Sequence, residues 1–288
     1  MVKYEKMRIA NVKQSKTLQD NNLLLVNSHG TKSKDTDACT PILQLSITFH
    51  PDEYQLALAT KRENDIKNFM ISYVGKLFSN ADDLTLEQKA QFGEYVRLEE
   101  GQTWFARIVN SQRADSKCVS ETTFYRLVQH FAIVLFECAN SDHFSPAKTL
   151  MNMCLTFYHE VEVPGCEPFQ EYLSTYLRNQ PIWQNIRFWN AAFFDALQCV
   201  RVQKPVLTKQ ELLKGDVDVI MDEEKYQENI TFGQLGTFIC TMHAFGLDKK
   251  FCKEFLKKQF SIASLPNSQE KMLVDHMHKL YEQTELFK

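Results

Sequence analysis

Glycine and proline are scarce, at nine and eight in 288 residues. A β-sandwich or barrel needs both at its many reversals, so their shortage argues against that class. No apolar run approaches the roughly 20 residues of a membrane-spanning helix; the longest early one is Leu23 to Val26. Charge of one sign is also missing. A net charge of -3 and a pI near 6.3 leave no overall basic field for nucleic acid. The eight cysteines, at 39, 118, 138, 154, 166, 199, 240 and 252, come no closer than twelve residues, so there is no CxxC. With no secretory signal at the N-terminus, reduced thiols and a cytoplasmic location are expected. Most of the thiols fall in apolar helical runs, where a free cysteine packs as a small hydrophobe.

Aromatic residues, by contrast, are plentiful, and they concentrate in Pro181 to Gln203. Ile182, Ile186, Trp189, Phe193, Leu197 and Val200 recur at helical spacing. Trp183, Phe188, Ala192 and Phe194 put apolar bulk on the other sides. Such a helix belongs in the middle of a core, with Pro181 at its first position. Trp183, Phe188, Trp189, Phe193, Phe194 and Asp195 are therefore the expected organising residues.

Around this helix the chain is expected to be all-α, an antiparallel stack of about ten helices. Residues 1–50 are polar and aperiodic and are expected to be largely disordered, apart from a short extended segment at Ile42 to Phe49. The helical domain then runs over 51–286. Ile66, Phe69, Met70, Tyr73, Val74, Leu77 and Phe78 form its first stripe. Thr85 with Gln88 makes a capping box for a helix over 86–99, and Thr208 with Glu211 makes another. Gly101 is expected to break the chain before a helix at Thr103 to Arg113, and Ser120 to cap a long one. Ser145-Pro146 reads as the start of a helix from Ala147 to Glu160. After the Pro164-Gly165 turn, Phe169, Tyr172, Leu173, Tyr176 and Leu177 suggest a short helix. Asp216 to Glu228 reads as a partly ordered acidic connection. Ile230 to Phe245 is helical and stops at Gly246; Asp248 caps a basic helix; Ser264-Leu265-Pro266 breaks it before a last helix at Ser268 to Glu285. No pattern repeats at a fixed offset, which argues against a regular solenoid.

Patterns that carry chemistry are absent. No cysteine has an arginine six positions later, as a thiolate phosphatase loop requires, and there is no GxSxG, GxxxxGK[ST] or GxGxxG. Gly233 and Gly236 sit inside a helical pattern and suggest close packing. Cys154 with His159, followed by Glu160 and Glu162, reads better as a core thiol and a surface imidazole than as a metal site. His276 and His278 point to divergent sides of a helix. The Asp216, Asp218, Asp222 run places Ile220 and Met221 where an EF-hand needs a ligand and a glycine. Asp195, in the most apolar helix, is either a catalytic carboxylate of raised pKa or a paired structural one. Pairing is the favoured reading, with Arg107, Arg126 or Arg187 as partner. No catalytic, cofactor or metal residue is assigned. The candidate interaction face is Lys249, Lys250, Lys253, Lys257 and Lys258, opposite Phe251, Phe255, Leu256 and Phe260. It could meet a partner groove or an anionic membrane, although a packed helix with a solvated lysine face is the plainer reading. Trp104 and Phe105 beside Arg107 are read as core before surface anchor.

The segments TWFARIVNSQR (103–113), VSETTFYRLVQHFAIVLFECA (119–139), FSPAKTLMNMCLTFYHEVE (144–162), QPIWQNIRFWNAAFFDAL (180–197) and ENITFGQLGTFICTMHAFGL (228–247) together resemble a SET-binding-factor-2-type helical domain. The resemblance spans roughly residues 60–284. The core of Phe188, Trp189, Ala192, Phe193, Asp195 and Ala196 is also similar to the C-terminal region of the MAP-kinase-activating death-domain protein, a DENN-family exchange factor for Rab GTPases. Larger relatives join such a region to exchange or inactive phosphatase modules. Neither is recognisable here, so neither activity carries over. The resemblance implies a non-enzymatic intracellular adaptor binding protein partners, with a neuronal, cytoskeletal or trafficking association. The alternative is a peripheral membrane-trafficking regulator that contacts a small GTPase or anionic lipid.

Overall fold

The computed structural model describes residues 51–79, 84–202, 217–263 and 265–285, all within the unit His50–Lys288. The expectations for residues 1–50 and for the Thr208–Glu211 capping box lie outside the described residues. Among the described residues there are nine α-helices: α1 Pro51–Ser79, α2 Leu86–Val96, α3 Glu99–Asp115, α4 Glu121–Asn140, α5 Phe144–Cys154, α6 Ile186–Val202, α7 Val217–Ala244, α8 Lys249–Ala263 and α9 Asn267–Glu285. The described residues are all-α except for one hairpin, β1 Tyr158–Val161 with β2 Phe169–Tyr172.

Helices α1 to α5 pack among themselves, as do α7 to α9, and α6 joins the two sets by touching α5, α7 and α8. The join is aromatic. Trp183, Phe188 and Trp189 lie ring to ring, Trp183 meets Phe245, and Phe193 meets both Phe238 and Phe255. Trp183 and Trp189 are fully buried. A buried indole N–H must find an acceptor. Trp183 Nε1 donates to Leu177 O and Trp189 Nε1 to Trp183 O, each at 2.7 Å.

That second bond explains why the expected single helix over 181–203 is broken. Pro181–Gln184 is instead a 3-10 turn, with Pro181 at its start, and α6 begins after Asn185. In a continuous helix the Trp183 carbonyl would accept from the Arg187 N–H. Here Arg187 N donates to Asn185 Oδ1 at 2.9 Å, which leaves the carbonyl for the indole.

Several sequence signals have the expected geometry. Thr85 and Gln88 form the reciprocal capping box, Ser120 accepts from Thr123 N, and Asp248 accepts from Phe251 N at 2.6 Å. Gly246, at φ +74, ends α7: its N–H reaches His243 O while Leu247 N reaches Met242 O. That pair of bonds is a Schellman cap.

Others are corrected. Gly101 does not break a helix; it is the third residue of α3, and the reversal falls at Arg97 and Leu98. Its glycine identity answers a steric demand, because a Cβ there would lie 2.0 Å from Tyr95 O. Ser145 is not a cap; His143 is, and Pro146 falls in the first turn of α5, where no helical acceptor exists for its missing N–H. Helix α5 stops at Cys154, so Tyr158 to Glu160 are strand, as are Phe169 to Tyr172, and Leu173–Thr175 is a 3-10 turn. Residues 217–228 are helical, the start of α7, and not a partly ordered connection. Four of the seven described thiols (Cys118, Cys166, Cys199 and Cys240) are exposed, against the expectation of core packing. A Cβ added at Gly236 would stand 4.0 Å from Leu273 Cδ2, an ordinary contact, and one at Gly233 would meet nothing within 4 Å, so the expected close packing does not require glycine at either.

Two adjacent glycines give opposite expectations. Gly101→Ala meets backbone atoms of Tyr95 that cannot swing aside, and should cost about 3 kcal/mol or more. Gly93→Ala, inside α2 with nothing within 4 Å, should stabilise by about 0.5–1 kcal/mol. Urea unfolding of both variants checks the pair.

His130 in α4 generates a pH prediction. Its Nδ1 lies 2.7 Å from Arg126 O, so Nδ1–H donates, and Nε2 accepts from the Tyr73 hydroxyl at 2.9 Å. The ring is thus satisfied as the neutral form. Burial first, then the charges of Lys89 and Arg126, push its pKa below the ordinary value. His243 is lowered too, by burial and by Arg178. Since the unfolded chain binds these protons more readily, stability should be full above about pH 6.5 and fall as pH drops from there towards the folded values. Urea midpoints between pH 7.5 and 5 should show the slope, and His130→Gln with His243→Gln should flatten it.

Candidate functional site

Helix α8 follows its pattern. Cys252, Phe255 and Leu256 are buried, and Gln259 Nε2 donates to Asn190 Oδ1 of α6 at 2.6 Å. Phe251 and Phe260 are half-buried against the core. Lys250, Lys253, Lys257 and Lys258 are exposed on the opposite side and Lys249 is half-buried. Among the described residues none of the five forms an ion pair. Glu254 sits four residues from both Lys250 and Lys258 and interrupts one row of the face. Lys249 and Lys250 occupy the first turn, which holds no acidic residue. Cations there oppose the helix dipole; the Asp248 cap offsets part of that cost.

The other organising residues divide. Trp183, Phe188, Trp189 and Phe193 are core, whereas Phe194 is 57% exposed and is corrected to a surface residue. Asp195 is exposed as well and pairs with Lys148 of α5, not with any of the three arginines. Arg187 instead donates to Asp142 Oδ2 at 2.7 Å, and Arg107 lies over the Trp104 ring, which Lys67 also approaches. Phe105 is buried as expected and Trp104 is half-buried.

Two polar clusters were not foreseen. Gln102, fully buried, donates to Val96 O at 3.0 Å and accepts at Oε1 from His143 Nδ1 at 2.7 Å and the Cys138 thiol at 3.5 Å. Burial pushes the Cys138 thiol up to about 12, so it stays a neutral donor and a poor nucleophile. The second cluster ties the hairpin to α4. His159 Nε2 and Glu171 Oε2 are 3.1 Å apart across the strands, the Tyr176 hydroxyl donates to the same oxygen, and Tyr125 meets Tyr176 at 3.2 Å. The Tyr125 and Glu171 contacts raise the Tyr176 pKa. His159 is therefore buried and paired, not the surface residue expected. Cys154, the last residue of α5, is buried, its thiol pushed up by burial. The alternation of Glu160 to Val163 before Pro164-Gly165 is the sequence signal for this hairpin. No group of three metal-binding side chains occurs among the described residues, nor any helix long and apolar enough to cross a membrane.

The family model SBF2, described as "Myotubularin protein", matches residues 93–234, from the middle of α2 to the middle of α7. The human "Uncharacterized protein KIAA0513" is 37% identical over a 314-residue alignment that covers 75% of this chain and 76% of that protein. The chain belongs to the SBF2-type family. The matched span holds both polar clusters and the Trp183, Phe188, Trp189 and Phe193 side of the aromatic join; Phe238, Phe245 and Phe255 and the lysine face of α8 lie beyond it. No solved structure matches.

An exposed ion pair is worth about 0–1 kcal/mol. Asp195→Asn should accordingly change stability by no more than about 0.5 kcal/mol. Gln102→Leu should cost about 3 kcal/mol, because it strands the Val96 carbonyl and the His143 N–H in the interior. Equilibrium unfolding of the two variants separates a surface carboxylate from a buried polar hub.

Proposed function

We propose that this chain is a non-enzymatic protein-interaction module that works by presenting helix faces. One observation carries the reading. Helix α4 is packed against the first three helices, α5 and the hairpin, yet Tyr125, Ile133 and Phe136 stand outward on it at 39%, 44% and 49% exposure. Residues at i, i+8 and i+11 share a helical face, and an outward apolar stripe, here interrupted by the exposed Gln129, on a helix whose opposite side is buried is the form a partner helix recognises. The absence of catalysis is part of the proposal. It is supported by polar clusters whose members satisfy one another and by thiols in the core that burial keeps protonated.

A second reading rests on α8: a peripheral trafficking regulator that meets a small GTPase or anionic lipid through its five lysines. The apolar side of α8 is committed to the core, so contact with a membrane would be electrostatic and salt-sensitive, without insertion.

Quantitative proximity labelling in cells tests both. Ile133→Glu with Phe136→Glu should lose one coherent set of neighbours that the five-lysine reversal retains. Loss of membrane or GTPase-linked neighbours on lysine reversal alone would favour the second reading. If both variants label the wild-type set, neither face is functional and the module reading fails.

A further inference from the structure

Of the four exposed thiols, one has a hydrogen-bonding partner for its sulfur. Cys240 Sγ, on α7, lies 3.4 Å from His276 Nε2 on α9. Among the described residues the sulfurs of Cys118, Cys166 and Cys199 have no such partner, although all three are exposed as well. The pair is positioned by the packing of the two helices. One turn before Cys240, Gly236 faces Leu273, whose Cδ2 would stand 4.0 Å from a Cβ placed there, and Leu273 and Met277 are buried on either side of His276 in the sequence. His276 is thereby held at the rim of the seam, beside the thiol. From Ile230 to Leu247, α7 carries no carboxylate; on α9, Asp275 precedes His276 and Lys279 follows one turn later. From α8, Cys252 is electrostatically coupled to Cys240. It is fully buried, with its thiol pushed up to about 12 by that burial, so it is not a competing nucleophile.

We infer that Cys240 is a modification site, a nucleophilic thiol served by His276, for small disulfides of the glutathione class. An imidazole nitrogen on the sulfur provides a base for the thiol proton, the arrangement that activates cysteine nucleophiles. In the exchange, Cys240 Sγ attacks one sulfur of the disulfide. The S–S bond of the reagent breaks as the Cys240 mixed disulfide forms. The other half departs as a thiol, carrying the proton that His276 Nε2 received from Cys240. One disulfide is consumed and one is formed, so no separate oxidant is needed.

The full-length chain, treated with oxidised glutathione at pH 7 and mapped by peptide mass spectrometry, provides its own comparison. Cys240 should form the mixed disulfide about threefold or more faster than Cys118, Cys166 or Cys199. His276→Gln should bring it down to their rate and leave theirs, and the helical circular dichroism, unchanged. His278→Gln, two residues on and off this face, should leave the Cys240 rate as in the wild type. Equal rates at the four thiols would overturn the inference. So would an unchanged Cys240 rate in His276→Gln, or an equal loss in His278→Gln, which would mark a general loosening of α9.

Discussion

Burial of two indoles is the constraint on which this fold depends. Trp183 and Trp189 are both fully enclosed, and each carries an N–H that cannot be left without an acceptor. The solution uses backbone carbonyls that a regular helix would have occupied: Leu177 O and Trp183 O. Asn185 makes the second available by capping α6 with its own side chain. The same residue donates to Asp142, whose backbone adopts φ +54 in the turn between α4 and α5. A left-handed aspartate, an asparagine cap and a tryptophan donor therefore specify together where α6 starts and which way it faces. Phe238, Phe245 and Phe255 pack against that result.

With the core assigned, the outward surfaces can be understood as what remained. Helix α8 spends its apolar side on Phe193 and Phe238 and turns its lysines out. Helix α4 meets more neighbours than one face can serve and still leaves three large side chains in solvent. The buried polar groups do not compete for the role of a site, because their hydrogen bonds are spent internally. Gln102 joins the α2–α3 reversal to the end of α4, and His159 with Glu171 pins the hairpin. Such networks, fully satisfied, rigidify a core rather than offer reactive groups.

Signals confined to one turn were legible. Thr85 with Gln88, Ser120, Asp248 and Gly246 act on atoms three to six residues away, so their geometry follows from local sequence. The lysine face was equally legible, since helical period alone puts those residues opposite Phe255 and Leu256. Asp195 and Phe194 were misread for one reason. Periodicity shows that a helix is apolar on several sides, but it does not show how many of those sides neighbours will cover. Three arginines were weighed for Asp195, and the partner proved to be a lysine 47 residues away. The hairpin was hidden because Phe169, Tyr172 and Leu173 stand at i, i+3 and i+4, a helical spacing that does not alternate.

By itself the sequence determined the helical class, the capped helix ends at Thr85, Ser120, Gly246 and Asp248 and most of the aromatic core, because each of these follows from periodicity, capping chemistry and the burial of large rings. The tertiary structure alone decided where the 181–203 segment breaks, why residue 101 must be glycine, and which exposed thiol sits beside an imidazole. Each depends on an atom supplied by a distant or differently oriented part of the chain: a carbonyl left open for an indole, the Tyr95 backbone against α3, and His276 brought from α9 to Cys240. Contacts of that kind are made by packing, and no spacing along one helix encodes them.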